Sequence, residues 1–141
     1  MIKNYTSTAP VSRTVARIEE LLAEAGAKAI GKNYNSGRLE ALTFQLSVNG
    51  KDVLVRLPSN PQAVLDAMRK KIKRARSGTL EKLREQAERT AWKIQQDWLE
   101  IELTKINLNQ TEPLQAFMAY LFDGEQTYFE RWKGQGCRLL T

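Results

Sequence analysis

The chain contains no histidine and only one cysteine among its 141 residues. Histidine is the commonest general base at neutral pH and the commonest metal ligand, so its absence excludes every catalytic pair of serine or cysteine with histidine. The lone Cys137 cannot form an intramolecular disulfide or build a zinc cluster. We therefore expect a protein that is not an enzyme and that holds neither a metal nor a cofactor.

Long hydrophobic runs are also missing. No apolar stretch approaches the roughly 20 residues needed to cross a bilayer, and residues 1–10 are polar rather than a charged segment followed by a hydrophobic one. A single free thiol suits a reducing compartment. These features predict a cytoplasmic protein without a membrane segment.

Apolar periodicity predicts the first helix and then a β-hairpin. Residues 12–25 have the three- and four-residue spacing of one helical face, with Ser12 as the N-cap and Gly26 just beyond the C-terminus. Further along, apolar and polar residues alternate on both sides of Asn49-Gly50, a dipeptide typical of a type I′ turn. That turn pairs Val48 with Lys51 and, six residues further from the turn on each strand, Leu42 with Leu57.

The remaining pattern completes an α+β fold. Ala27–Tyr34 is a weaker first strand, which gives a helix, a three-stranded antiparallel sheet and a second helix that begins at Pro61 with Asn60 as its cap. A long helix and a short helical C-terminal segment follow. The predicted organisation is a domain at 1–76, a linker or bend at 77–79, and a helical extension at 80–141.

The positive charge of the chain is concentrated in one place. Lys and Arg outnumber Asp and Glu by six to one in residues 58–78, compared with eight to five before them and eight to ten after them. A local surplus of this kind attracts polyanions through Coulomb steering and counterion release. The predicted binding residues are Arg69, Lys70, Lys71, Lys73, Arg74 and Arg76, with Lys32 as an extension of the patch.

A plainer interpretation of these cations is a solvated helix end. Each exposed cation near a helix C-terminus stabilises the helix by up to about 1 kcal/mol, because it interacts favourably with the helix macrodipole. Two or three cations suffice for that role, whereas six repel one another and favour an external counter-charge. The presence of six cations therefore favours binding of an anionic partner over helix capping.

The long helix carries two apolar rows. One contains residues 80, 87, 94, 101 and 108, and the other contains Trp92, Leu99 and Ile106 about 200° further round the helix at 100° per residue. The second row is a candidate protein interface or homodimer surface. Core packing is the alternative for Trp92 and Trp98, and it is the more frequent role for aromatic residues in such rows.

Two resemblances bear on function. The order of elements over residues 12–75 resembles a double-stranded RNA-binding domain, whose second helix grips phosphates with lysines at its N-terminus. This chain has Ser59-Asn60-Pro61-Gln62 there and places its cations at the opposite end, so no RNA-contacting residue carries over.

The second resemblance covers nearly the whole chain. The stretches VSRTVARIEELLAEAGAKAI, LTFQLSVNGKDVLVRLPSNPQAV and ERTAWKIQQDWLEIELTKI are similar to a family of small uncharacterised proteins of bacteriophages and prophages. The resemblance implies an accessory protein that acts inside a bacterium, and it implies no site residues.

Together these observations predict a non-enzymatic bacteriophage accessory protein that binds nucleic acid or a nucleoprotein complex through its basic patch. The alternative is an anti-defence protein, similar to an anti-CRISPR, that inhibits a host nuclease complex by protein contact.

Overall fold

The computed structural model describes residues 2–71 and 77–136, and its architecture is α+β. In chain order the elements are α1 (Val11–Glu24), β1 (Ala29–Asn35), β2 (Arg38–Val48), β3 (Lys51–Pro58), α2 (Pro61–Arg69), α3 (Ser77–Asn107), α4 (Pro113–Phe117), a 3₁₀ turn (Met118–Tyr120), β4 (Leu121–Phe122) and α5 (Tyr128–Gly134). None of the described helices is both long and apolar enough to cross a membrane.

The chain divides into two compact units. The helical unit comprises Met1–Leu21 and Ser59–Ile101, and the sheet unit comprises Leu22–Pro58 and Glu102–Thr141. Each unit combines segments from both sides of residues 77–79. The division of the chain by a linker or bend at 77–79 stays a prediction; in the structure α3 begins at Ser77, and Thr79 belongs to its first turn.

The predicted hairpin is confirmed in its turn and in its register. Asn49 and Gly50 have φ angles of 53° and 79°, as a type I′ turn requires. Val48 pairs with Lys51 and Leu42 pairs with Leu57. The face of β2 and β3 that carries Leu42 and Leu57 is apolar along most of its length, and its buried residues are Leu42, Phe44, Leu46, Val55 and Leu57.

The described sheet has four antiparallel strands in the order β1-β2-β3-β4, so the prediction of three strands was one short. The added strand pairs Leu121 with Val55 and Phe122 with Leu54. It is only two residues long, which is too short to show any alternation, and its partner lies far away in sequence. Only tertiary packing identifies it as a strand.

Helix α1 ends as predicted and begins differently. Beyond its last residue Gly26 adopts a φ of +92°, and the N–H of Ala27 donates to the carbonyl of Leu22 at 2.9 Å, which is the bond pattern of a Schellman motif. At the other end the helix starts at Val11. Ser12 is therefore already inside the first turn and is not the N-cap.

Helix α2 starts at Pro61, as predicted, but Asn60 does not cap it with its side chain. Asn60 adopts a left-handed conformation with φ 50° and makes no side-chain capping bond. Asparagine tolerates this conformation better than most residues. Its role here is to turn the chain from β3 into α2.

In the helical unit, the N-terminal segment is attached to α3 by hydrogen bonds. The hydroxyl of Thr90 donates to the carbonyl of Asn4 at 2.9 Å, the Asn4 amide donates to Asp97 at 2.9 Å, and the Gln86 amide donates to the carbonyl of Tyr5 at 2.9 Å. Thr90 is fully buried. These bonds satisfy polar groups that would otherwise be costly to bury.

In the sheet unit, Phe44 meets Phe117 edge to face with ring centroids 5.6 Å apart. Helix α5 is stabilised by a capping box, in which the N–H of Glu130 donates to the Thr127 hydroxyl and the N–H of Thr127 donates to the Glu130 carboxylate at 2.9 Å. Hydrogen bonds that the Glu130 carboxylate accepts from Thr127, first from its backbone N–H and second from its side chain, lower the pKa of Glu130.

Replacing Gly50 by Ala should destabilise the protein by about 1 kcal/mol, because alanine pays a steric penalty at positive φ. Gly134→Ala is the matched control, since Gly134 has no positive φ and has open space around it. Urea unfolding compares them. Equal losses of stability in the two variants would contradict a type I′ turn at Asn49-Gly50.

Thr127→Ala should lower the free energy of unfolding by about 1 kcal/mol, because it removes the side-chain cap of α5. Thr127→Ser keeps a hydroxyl at this position and should retain most of that stability. The pKa of Glu130 is lowered in the fold, so the carboxylate contributes stability above its unfolded pKa and loses it as pH falls through the folded value. The difference between wild type and Glu130→Gln should therefore shrink under acid conditions, whereas Thr127→Ala keeps the backbone N–H that bonds to the carboxylate, so its cost should change less with pH. Denaturant unfolding at neutral and acidic pH checks this, and a difference that grows with acidity would refute it.

Candidate polyanion-binding site

Three of the predicted binding residues lie together where α2 ends. Arg69 is the last residue of the helix, and Lys70 and Lys71 follow it directly. Both lysine N–H groups still bond to the helix, Lys70 to the carbonyl of Asp66 at 3.3 Å and Lys71 to that of Met68 at 3.1 Å. The three cationic residues are therefore held on an ordered turn, and all three are exposed.

Burial of the opposite face of α2 holds this turn in place. Leu65 and Met68 are 2% and 7% exposed and form a cluster with Ala87 of α3. Other partly buried residues pack against the cluster, namely Ile2, Val64, Leu80 and Leu83. Apolar contacts of this kind on one face leave the cations on the solvent side.

The cations at the end of α2 form no ion pair in the part of the chain that the structure describes. Asp66 is the one carboxylate in residues 58–78, and it stands three and four positions before Arg69 and Lys70, where an ion pair is feasible. Its Oδ1 instead accepts a hydrogen bond from the Gln62 amide at 2.8 Å. No described ion pair includes Arg69, Lys70 or Lys71.

Cations in other elements are often paired. Lys28 lies 3.1 Å from Asp52, Arg17 lies 3.1 Å from Glu20, and further pairs join Lys3 and Lys93 to Asp97, Arg56 to Glu40, Lys105 to Glu102 and Arg131 to Asp123. The end of α2 differs because it groups three consecutive exposed cations without such pairing.

The other predicted binding residues are placed as follows. Lys73, Arg74 and Arg76 lie outside the described residues, so their part in the site stays a prediction. Lys32 is an exposed residue of β1 and belongs to the sheet unit, whereas the end of α2 belongs to the helical unit. Cys137 also lies outside the described residues.

The predicted protein interface on α3 needs correction. Trp92 and Leu99 are 1% and 0% exposed, so they are core residues and present no surface to a partner, in agreement with the core alternative for Trp92. Ile106 is half-buried. In the first apolar row Ala87 is 1% exposed, whereas Ile101 is 58% exposed and Leu108, just beyond the helix, is 64% exposed. Periodicity detects both rows but cannot tell which of their residues the fold covers.

No group of three or more acidic, cysteine or histidine side chains among the described residues could hold a metal ion. The carboxylate of Asp123 has a lowered pKa because it accepts from the N–H groups of Gln126 and Glu125 and lies beside Arg131. These contacts belong to the turn before α5 and to α5 itself, so a structural role of Asp123 is sufficient to explain its lowered pKa.

Comparison with known proteins adds no further constraint, since no protein-family model, no curated protein and no solved structure matches this chain.

Leu99→Ala should destabilise the protein by about 2–5 kcal/mol, because it removes a fully buried side chain and leaves a cavity. Ile101→Ala, two positions further along α3, should change stability by at most about 0.5–1 kcal/mol, because Ile101 is mostly exposed. Thermal and urea unfolding of both variants checks this. A small loss for Leu99→Ala would return Leu99 to the list of interface candidates.

Proposed function

We propose that this chain is a non-enzymatic protein that binds nucleic acid, free or within a nucleoprotein complex, through the cations at the end of α2. The observation that carries the proposal is the grouping of Arg69, Lys70 and Lys71, which are exposed, hydrogen-bonded to the end of α2 and without an ion pair among the described residues. Lys73, Arg74 and Arg76 follow directly in sequence and add to the same local charge. A bacteriophage accessory role is the setting that the family resemblance implies.

Physical magnitudes separate this proposal from simple helix capping. Three cations near a helix C-terminus stabilise the helix by at most about 1 kcal/mol each, and less when salt screens them. Six cations in eight residues repel one another, and that repulsion is relieved when the phosphates of a nucleic acid neutralise them and the counterions condensed on the nucleic acid are released. A polyanionic partner therefore explains the number of charges, which capping leaves unexplained.

Lys70→Glu with Lys71→Glu should weaken binding to a fluorescein-labelled DNA or RNA oligonucleotide at least tenfold at low salt, as measured by fluorescence anisotropy. The matched control is Arg13→Glu with Lys51→Glu, which changes net charge equally at two exposed positions elsewhere. The control should retain much more affinity. Equal losses in both variants would show that only net charge matters, and binding that neither variant changes would remove the proposal.

Salt dependence gives a second test. The logarithm of the wild-type association constant should fall linearly with the logarithm of salt concentration. Neutral replacement of Lys70 and Lys71 by Gln should reduce that slope by about two, because each lost phosphate contact removes about one counterion. A slope that is unchanged in this variant would place the contact elsewhere on the protein.

The rival proposal is an anti-defence inhibitor that contacts a host nuclease complex directly. The exposed Ile101 supplies apolar surface for such a contact, in place of the buried Trp92 and Leu99. Pull-down from bacterial lysate with and without nuclease digestion distinguishes the two proposals. A nucleic-acid tether is lost on digestion, whereas a direct protein complex survives it.

A further inference from the structure

The position of Asp66 in α2 favours an ion pair with the cations at the end of that helix. Asp66 precedes Arg69 by three residues and Lys70 by four. Side chains at these separations are neighbours on a helix, and an acidic residue four positions before a lysine is the favourable orientation for a pair. Lys70 keeps helical dihedral angles as the C-cap of α2, so this spacing applies to it. Helical geometry alone therefore predicts that Asp66 pairs with Lys70.

The structure shows a different partner for this carboxylate. The Nε2 amide of Gln62 donates to Oδ1 of Asp66 at 2.8 Å, and no ion pair among the described residues includes Asp66. Gln62 lies one turn before Asp66, on the side away from the cations. A hydrogen bond between glutamine and aspartate at a separation of four residues is about as strong as an ion pair at the same separation. Asp66 therefore stands between two alternative partners of similar strength.

Both alternatives lie on the solvent side of α2. Gln62, Asp66, Arg69 and Lys70 are all exposed, and at 100° per residue they span an arc of about 100° round the helix. The buried Leu65 and Met68 are centred about 120° away from that arc. Packing of the buried face therefore leaves the choice between the two partners of Asp66 to the exposed side chains themselves.

The choice of partner changes the charge that the site offers to a ligand. An ion pair with Asp66 would neutralise one of the three exposed cations Arg69, Lys70 and Lys71. A carboxylate and a phosphate accept hydrogen bonds from the same cationic donors, so an incoming phosphate would first have to displace Asp66. Each phosphate contact contributes about one released counterion to binding. The bond from Gln62 thus keeps one such contact available.

Stabilisation of α2 is a weaker explanation of this bond. An exposed contact between side chains four residues apart contributes little to helix stability. Asp66 also lies in the last turn of α2, where the negative end of the helix macrodipole disfavours a carboxylate. Burial of Leu65 and Met68 already holds the helix in place. The main effect of the bond is therefore on the position of the Asp66 carboxylate.

We infer that Gln62 is a positioning residue of the proposed nucleic-acid site, which holds Asp66 away from Arg69 and Lys70 and so keeps these cations available to phosphates. Without the Gln62 bond, Asp66 is an internal competitor for the same cations. This inference rests on the proposed function and adds the regulation of its charge.

A double-mutant cycle with the full chain and a fluorescein-labelled DNA oligonucleotide tests the inference. Gln62→Met keeps the length of the side chain and removes the amide donor, so it should weaken binding at least threefold. In the Asp66→Asn background no carboxylate can be released, and Gln62→Met should there change the affinity by less than twofold. Equal losses in the two backgrounds, or no loss in either, would overturn the inference.

Salt dependence distinguishes a lost phosphate contact from damage to the helix. The slope of the logarithm of the association constant against the logarithm of salt concentration should fall by up to about one in Gln62→Met. The slopes of Asp66→Asn and of the double variant should be equal. A slope that Gln62→Met leaves at the wild-type value would show that Gln62 does not act through the cations and would overturn the inference.

NMR spectra of the protein without nucleic acid test the inference separately from the proposed function. The side-chain nitrogen signal of Arg69 or Lys70 should shift in Gln62→Met, because the carboxylate then lies beside it. The double variant should show no such shift relative to Asp66→Asn. Unchanged signals in Gln62→Met would overturn the inference and leave the proposed function standing, whereas a wild type that binds no oligonucleotide would overturn the proposed function itself.

Discussion

The register of β2 against β3 is the constraint on which the sheet unit depends. The Asn49-Gly50 turn and the alternation of apolar residues specify the same pairing independently, and a shift of one residue would move Phe44 and Val55 from the core to solvent. This register also sets the bonding direction of β2 towards β1.

In the helical unit, helix α2 packs against its neighbours through one face and carries positive charge at its C-terminal end. Leu65 and Met68 are buried with Ala87, and that contact holds the turn from Arg69 to Lys71 in place. Because Arg69, Lys70 and Lys71 lie on this helix end, they lose less conformational entropy when a partner binds than the same residues would on a free tail. Packing and electrostatics thus support each other at this site.

Several elements follow from local sequence alone. The Schellman motif at Gly26, the type I′ turn at Asn49-Gly50 and the start of α2 at Pro61 depend on backbone conformations that few residues satisfy. Side-chain capping was less predictable. Ser12 lies within the first helical turn and Asn60 turns the chain without capping it, because a residue that suits a cap also suits other positions near a helix start.

Other features depended on contacts between distant parts of the chain. The two apolar rows of α3 are similar in sequence, yet Trp92 and Leu99 are buried while Ile101 is exposed. The strand β4 is too short to show a sequence pattern of its own. Helix α3 begins at Ser77, although Ser-Gly-Thr is a sequence that usually marks a break between elements. In each of these cases the local pattern allows two outcomes.

The sequence by itself determined the α+β class, the hairpin register and the local surplus of cations, because these depend on periodicity, turn chemistry and composition within short windows. Only the tertiary structure decided which apolar residues of α3 are covered, that a fourth strand joins β3, and that the cations of α2 lack a described carboxylate partner. The physical reason is that burial and ion pairing depend on which distant residues meet, and a pattern along one segment contains no information about its neighbours in space.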